Sequence, residues 1–101
     1  MPLNGYDGPI TLAAGITHIP TALQAAGYTG RYGFVSANLK NLTGASIYFA
    51  RRSDVSAANG REIPDADEYH FQATGRGTRD FYKMYVYSAA GGTAHFSGET
   101  R

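Results

Sequence analysis

Apolar and polar residues alternate along several short stretches of the chain, a pattern typical of β-strands with one buried face. Between residues 9 and 18 the even positions are apolar: Ile10, Leu12, Ala14 and Ile16. Further strands are predicted at residues 31–39, 45–50, 67–73, 80–88 and 93–97. In the second of these, Ile47 and Phe49 are expected to face inward. Residues 21–27 allow one or two helical turns, which Gly27 ends.

Turn residues separate these stretches. Asn41–Gly44, Asn59–Gly60 and Gly75–Gly77 are predicted turns, and Gly91–Gly92 is expected to close a hairpin between the last two strands. About six to eight short strands separated in this way indicate an all-β fold. We expect one domain over residues 1–101, a small antiparallel, jelly-roll-like β-sandwich with at most one short helix. A polar N-terminal extension covers about residues 1–8.

Composition narrows the possible partners. Nine basic and eight acidic residues give a net charge of +1, which argues against a nucleic-acid partner. The chain has no cysteine, so disulfides, thiolate metal sites and a cysteine nucleophile are excluded. No apolar stretch approaches the ~20 residues that cross a bilayer, and no secretion signal is evident. These features predict a protein that folds in a reducing cytoplasm and binds no membrane.

The stretch 80–88 is apolar on both faces. Tyr82, Met84 and Val86 form one face, and the other consists of Phe81, Lys83, Tyr85 and Tyr87. Only one face of a strand in a two-layer sandwich can point to the core. The second face is therefore covered by loops or by the short helix, or docks on a neighbouring subunit, or stacks on a carbohydrate.

Arginines cluster in two predicted loops: Arg51, Arg52, Arg76 and Arg79. They form either a solvated rim of weak ion pairs or a clamp on an acidic neighbouring surface. The two glycines around Arg76 fit a turn tip, because no phosphate-binding motif surrounds them.

Residue patterns for catalysis are not evident. Ser53–Asp54 lacks the strained elbow of a serine nucleophile, and Asp65, Asp67 and Glu68 alternate near one strand end. The three histidines, His18, His70 and His95, have no ligand spacing between them. The sequence therefore predicts no enzyme, no cofactor and no metal site. Asn41–Thr43 matches a glycosylation sequon and is expected to be a turn.

The order of motifs between residues 41 and 99 resembles that of the small β-sandwich proteins that decorate tailed-phage particles. The shared features are the strand ASIYFA (45–50), the turn VSAANG (55–60), the bend Ile63–Pro64 and the final YVYS hairpin (85–88). The chain departs from that pattern at Arg51–Arg52, where a glycine-rich end is expected. This departure leaves open what the following loop contacts.

The resemblance implies a virion structural protein, assembled in the host cytoplasm. The expected role is capsid decoration (cement), in which a dimer or trimer bridges major capsid protein or other virion subunits. Two alternatives stay open: a carbohydrate- or receptor-binding module, and a tail or head–tail connector component. The expected protein-interface residues are Phe81, Lys83, Tyr85, Tyr87, Arg51, Arg52, Arg76 and Arg79.

Overall fold

A computed structural model describes residues 4–28, 34–72 and 83–100. These residues form eight strands and one helix, and they confirm an all-β fold with a single short helix in the described part. The strands are β1 (Asn4–Leu12), β2 (Gly15–His18), β3 (Phe34–Asn41), β4 (Ile47–Ala50), β5 (Arg61–Ile63), β6 (Glu68–Gln72), β7 (Tyr85–Ser88) and β8 (Gly92–Thr100). Helix α1 (Ile19–Ala25) lies between β2 and β3.

The strands form two four-stranded antiparallel sheets, ordered β1-β8-β3-β6 and β2-β7-β4-β5. The first half of the strand series pairs with the second half in reverse order: β1 with β8, β2 with β7, β3 with β6 and β4 with β5. Among the described strands, β4 and β5 alone are both consecutive and paired. The other connections cross from one sheet to the other.

Both sheets and the helix contribute to one apolar core. Its fully buried members come from β1, α1, β3, β4, β5, β7 and β8, and include Ile10, Leu23, Leu39, Ile47, Ile63, Val86 and Phe96. Burying a side chain of this size stabilises the fold by about 1.5–3 kcal/mol before entropy is counted. A shared core between two facing sheets is the arrangement of a β-sandwich.

The predicted strand over residues 9–18 is divided in two. Ile10 and Leu12 are buried in β1 as expected, but Ile16 is 43% exposed on the other sheet. The chain crosses between the sheets at residues 13–14, where the Ala13 amide donates to Thr17 Oγ1 over 2.9 Å. Gly15 follows with a φ of +97°, which a side chain would disfavour. Apolar residues stay on even positions through this crossover, so the sequence pattern does not indicate it.

Two other connections differ from expectation. Gly91–Gly92 does not close a hairpin, because β7 and β8 belong to different sheets. Residues 4–8, assigned from the sequence to an N-terminal extension, lie in β1 and pair with β8 from Asn4↔Thr100 onward.

The remaining elements follow the sequence more closely. β4 has Ile47 and Phe49 buried, as the alternation predicts. Helix α1 starts before residue 21 and ends ahead of Gly27, whose φ is +99°. The short strand β5 is not among the predicted strands, and its buried residue is Ile63.

Candidate functional site

The outer side of sheet β1-β8-β3-β6 is polar. Its outward-pointing side chains include Asp7, Asn38, Lys40, Glu68, His70, Thr93, His95 and Ser97. Two pairs of them are hydrogen-bonded: His95 Nε2 lies 2.6 Å from Asp7 Oδ1, and His70 Nδ1 lies 2.6 Å from Asn38 Oδ1. We call this surface the polar face. It is the solvated side that a sandwich ordinarily presents to water.

The outer side of sheet β2-β7-β4-β5 is aromatic instead. Strand register places Ile16, Tyr87 and Tyr48 in one row across β2, β7 and β4. In the next row, His18 lies opposite Tyr85. We call these five side chains the aromatic face. The two outer surfaces of the sandwich therefore differ in chemistry, one aromatic and the other polar.

Ring contacts fix the geometry of the aromatic face. The rings of His18 and Tyr85 have centroids 4.7 Å apart and planes inclined by 31°. Tyr48 and Tyr87 are 6.4 Å apart at 40°. All four rings are half-buried, and His18 Nδ1 lies 2.8 Å from Thr21 Oγ1 at the start of α1. Because the rings hold one another in place on paired strands, this surface is ordered before any partner binds.

The structure places part of the predicted interface on this face. Tyr85 and Tyr87 point outward, whereas Met84 and Val86 point to the core, as the alternation predicts. Lys83 is exposed and comes two residues before Tyr85. Three other predicted interface residues lie outside the described residues: Phe81, Arg76 and Arg79.

The predicted arginine pair Arg51 and Arg52 directly follows β4, and both residues are exposed. Arg52 binds Asp54 in a two-pronged contact, with Nη2 donating to Oδ2 over 2.8 Å. This hydrogen bond, together with the attraction between the charges, raises the pKa of Arg52. It also holds the pKa of Asp54 below its usual value. The Arg52 guanidinium is thus engaged within its own loop.

The loop of residues 51–60 packs beside the aromatic face. Its Val55 is buried, and a Cβ placed on Gly60 would lie 2.9 Å from Val55 Cγ2 and 2.7 Å from Tyr48 Cβ. Asn59 Nδ2 donates to the Asp54 carbonyl, and Asn59 Oδ1 accepts from the Ser56 amide. The VSAANG turn therefore packs against the Tyr48 end of the aromatic face, whereas Ile16 remains exposed at the opposite end.

Asn41 is a structural residue that sequence reasoning missed. Its side chain is fully buried, and Nδ2 donates to the carbonyls of Ala45 (2.6 Å) and Ile63 (2.9 Å). Its Oδ1 accepts from the Thr43 amide and hydroxyl. The sequon Asn41–Thr43 is thus a side-chain-bonded turn that ties β3, β4 and β5 together. Asn and Thr two residues apart at a strand end are the available signal for it.

The ionisable residues of the described ranges do not converge on a metal-binding geometry, since no group of three His, Asp or Glu side chains is close enough. His18 lies on the aromatic face, whereas His70 and His95 lie on the polar face. Within those same ranges, no helix has the length and apolarity to span a bilayer.

Comparison of the chain with protein-family models, curated proteins and solved structures finds no match. The contrast between the two outer faces is the feature from which a function can be argued. One face is polar and carries hydrogen bonds between its own side chains, and the other offers ordered rings and an exposed isoleucine.

Proposed function

We propose that the protein is a virion structural protein of the capsid-decoration (cement) type. It binds neighbouring protein subunits, the major capsid protein or other virion proteins, and stabilises the shell by adding contacts between them. The observation that carries this proposal is the aromatic face on one side of a sandwich whose other side is polar. Monomeric proteins rarely leave a contiguous apolar surface open, and Tyr rings are preferred anchors at the centres of interfaces.

We also infer that the sandwich is wound as a jelly roll. Pairing of the first four strands with the last four in reverse order describes one long antiparallel ribbon, whose tip is the β4–β5 hairpin. Wrapping this ribbon brings β8 beside β3 and β7 beside β4. Eight-stranded jelly rolls are frequent in viral capsid and lectin domains, so this winding is compatible with the proposed role.

The mechanism is structural and requires no cofactor and no catalysis. Ring contacts and strand pairing order the aromatic face in advance, so docking costs little side-chain entropy. Arg51 and Lys83 add positive charge near one end of the face, where a partner's carboxylates can lie. A dimer or trimer of the chain would place such faces around a local symmetry axis of a shell.

A carbohydrate- or receptor-binding module is the second candidate. It is favoured by half-buried Tyr rings that lie beside polar groups, since sugars stack on rings and need hydrogen-bonding partners. Glu62, opposite Tyr48 in the register, supplies such a group. A tail or head–tail connector component is a variant of the first proposal that differs in the symmetry of its site.

Tailed-phage particles whose genome encodes the chain provide the test. The chain is quantified in purified particles by mass spectrometry, and recombinant protein is then added back to particles stripped of it. We expect many copies per particle and saturable rebinding. The variant Tyr85→Ser with Tyr87→Ser should lose rebinding, because interface anchors cost about 2–4 kcal/mol when truncated.

A matched control truncates two polar-face residues, Thr93→Ala with Ser97→Ala, and should rebind like the unmodified chain. Absence of the chain from particles would overturn the proposal. Binding of the recombinant protein to a glycan array, lost in the double Tyr variant and without any rebinding to particles, would support the carbohydrate-binding alternative instead.

A further inference from the structure

We propose that the aromatic face binds the same face of a second copy of this chain, so that the protein is a two-fold symmetric dimer. This inference rests on the proposed function insofar as both assign the face to contacts between subunits, and it specifies the partner.

The centre of the face suits an apolar partner surface. Ile16 is 43% exposed, and the Tyr85 and Tyr87 rings beside it are half-buried. Interfaces between identical subunits have centres more apolar than the rest of the surface, with Tyr enriched and charged groups depleted. Within the described strands of this sheet, Glu62 is the charged residue at the edge of the face, and the guanidinium of the other, Arg61, lies 5.0 Å from the Tyr69 ring of the facing sheet.

Two opposite charges lie at opposite corners. Glu62 extends the first row beyond Tyr48, with which it is paired in the register. Lys83 is exposed in the turn just before β7, next to the end of the second row. The aromatic face therefore has an acidic corner and a basic corner, separated by the rings.

A two-fold contact makes this arrangement self-complementary. In such a contact, if residue i of one copy touches residue j of the other, then j also touches i. An axis in the plane of the contact that exchanges the two corners brings Glu62 of each copy to Lys83 of the other. Two reciprocal ion pairs then border one shared aromatic centre, and they fix the relative orientation of the two copies.

The charge of the whole chain permits this association. A net charge of +1 gives two copies little mutual repulsion. A strongly acidic or strongly basic partner would be matched best by a face whose corners carry the same charge. Glu62 and Lys83 carry opposite charges.

Sedimentation equilibrium of the purified chain over a dilution series tests the proposal. We expect a reversible dimer. Glu62→Lys and Lys83→Glu each replace two attractive contacts by two repulsive ones, and each should weaken dimerisation by about ten-fold. The exchange of both charges in one chain should restore it. An equimolar mixture of the two single variants should form heterodimers, because both corner contacts are then complementary.

Lys40→Glu on the polar face is the matched control and should leave the dimer unchanged. Both Glu62 and Lys83 are exposed, so the variants are expected to fold, which thermal unfolding verifies. A monomer at every concentration, a trimer, or charge variants that dimerise like the unmodified chain would each overturn the inference. Because purified protein alone is used, these results are independent of whether the chain is found in particles.

Discussion

Asn41 shows how much of this fold depends on one polar residue. Its amide is fully buried, and its four hydrogen bonds join the turn after β3 to the end of β5. The backbone also meets here, since the Asn41 amide donates to the Asp67 carbonyl and the Asn41 carbonyl accepts from the Ala66 amide. Removing a buried hydrogen-bonding side chain lowers stability most when the groups that were bonded to it are left with neither a new partner nor water.

Replacing Asn41 with Ala is therefore expected to lower the free energy of unfolding by about 3 kcal/mol. The Ile63 carbonyl would be left without its side-chain donor, whereas the Ala45 carbonyl keeps the Thr43 hydroxyl 2.8 Å away. Urea denaturation followed by circular dichroism measures the change. Asn38→Ala removes an amide from the polar face and should cost about 0.5 kcal/mol. Equal losses in the two variants would contradict the role assigned to Asn41.

The Arg52–Asp54 contact gives a second prediction at this scale. Since the hydrogen bond from Arg52 lowers the pKa of Asp54, its carboxyl should titrate below the ordinary aspartate range in an NMR pH titration. Arg52→Gln should return that pKa toward the ordinary value. The contact stabilises the fold above the carboxyl's ordinary pKa, and this contribution disappears as the pH falls through the lowered value. An unchanged Asp54 titration in the variant would contradict this interpretation.

At the level of elements, the connections matter more than the strands. Gly91 adopts a φ of +76° in the crossover from β7 to β8. A Cβ at this position would lie 2.7 Å from the Leu12 carbonyl oxygen and 2.9 Å from the Ala14 amide nitrogen. The two crossovers β1–β2 and β7–β8 are therefore packed backbone against backbone at this end of the sandwich.

Gly91→Ala should accordingly destabilise the protein by about 3 kcal/mol, through backbone strain and steric conflict together. Gly15→Ala is the matched control, because Gly15 also has a positive φ but nothing within 4 Å of an added Cβ. That variant should lose about 1–2 kcal/mol from strain alone. Chemical denaturation compares the two. If Gly15→Ala proved the more damaging, close packing of the crossovers would not be the reason that Gly91 is needed.

Alternation in the sequence was sufficient to predict β4 and the inward side of β7. It failed where the chain changed sheets without changing its pattern, as at Gly15, because the same alternation serves both sheets. β5 was not predicted, because Ile63 is its one buried residue and a single apolar position shows no alternation. The Gly91–Gly92 signal was interpreted as a hairpin, although glycine is equally suited to a crossover.

The aromatic face could be predicted only in part. The two-sided strand pointed to Tyr85 and Tyr87, but Ile16, His18 and Tyr48 join them through strand order, which periodicity does not contain. The polar face could not be predicted from the sequence either, because it too depends on strand order. Asn41 had a turn signal, yet its burial depends on β5, a strand distant in sequence.

For the molecule as a whole, the double variant Tyr85→Ser with Tyr87→Ser should remain folded and lose assembly. Both side chains point away from the core, so the expected effect is on mass in solution. Light scattering of a dilution series should show a stable oligomer for the unmodified chain and a smaller species for the variant. A folded variant with unchanged mass would contradict the assignment of this face to subunit contacts.

The reverse-order pairing of strands has a consequence for how the chain is made. Asn4 is paired with Thr100, so β1 has no partner when it leaves the ribosome and gains one only after β8 has been synthesised. β3 also waits for β6 and β8. Because most pairings join distant segments, folding should be slow, taking milliseconds to seconds, and largely post-translational. A nascent chain stalled before residue 92 would therefore expose to chaperones the edges of β1 and β3 between which β8 belongs.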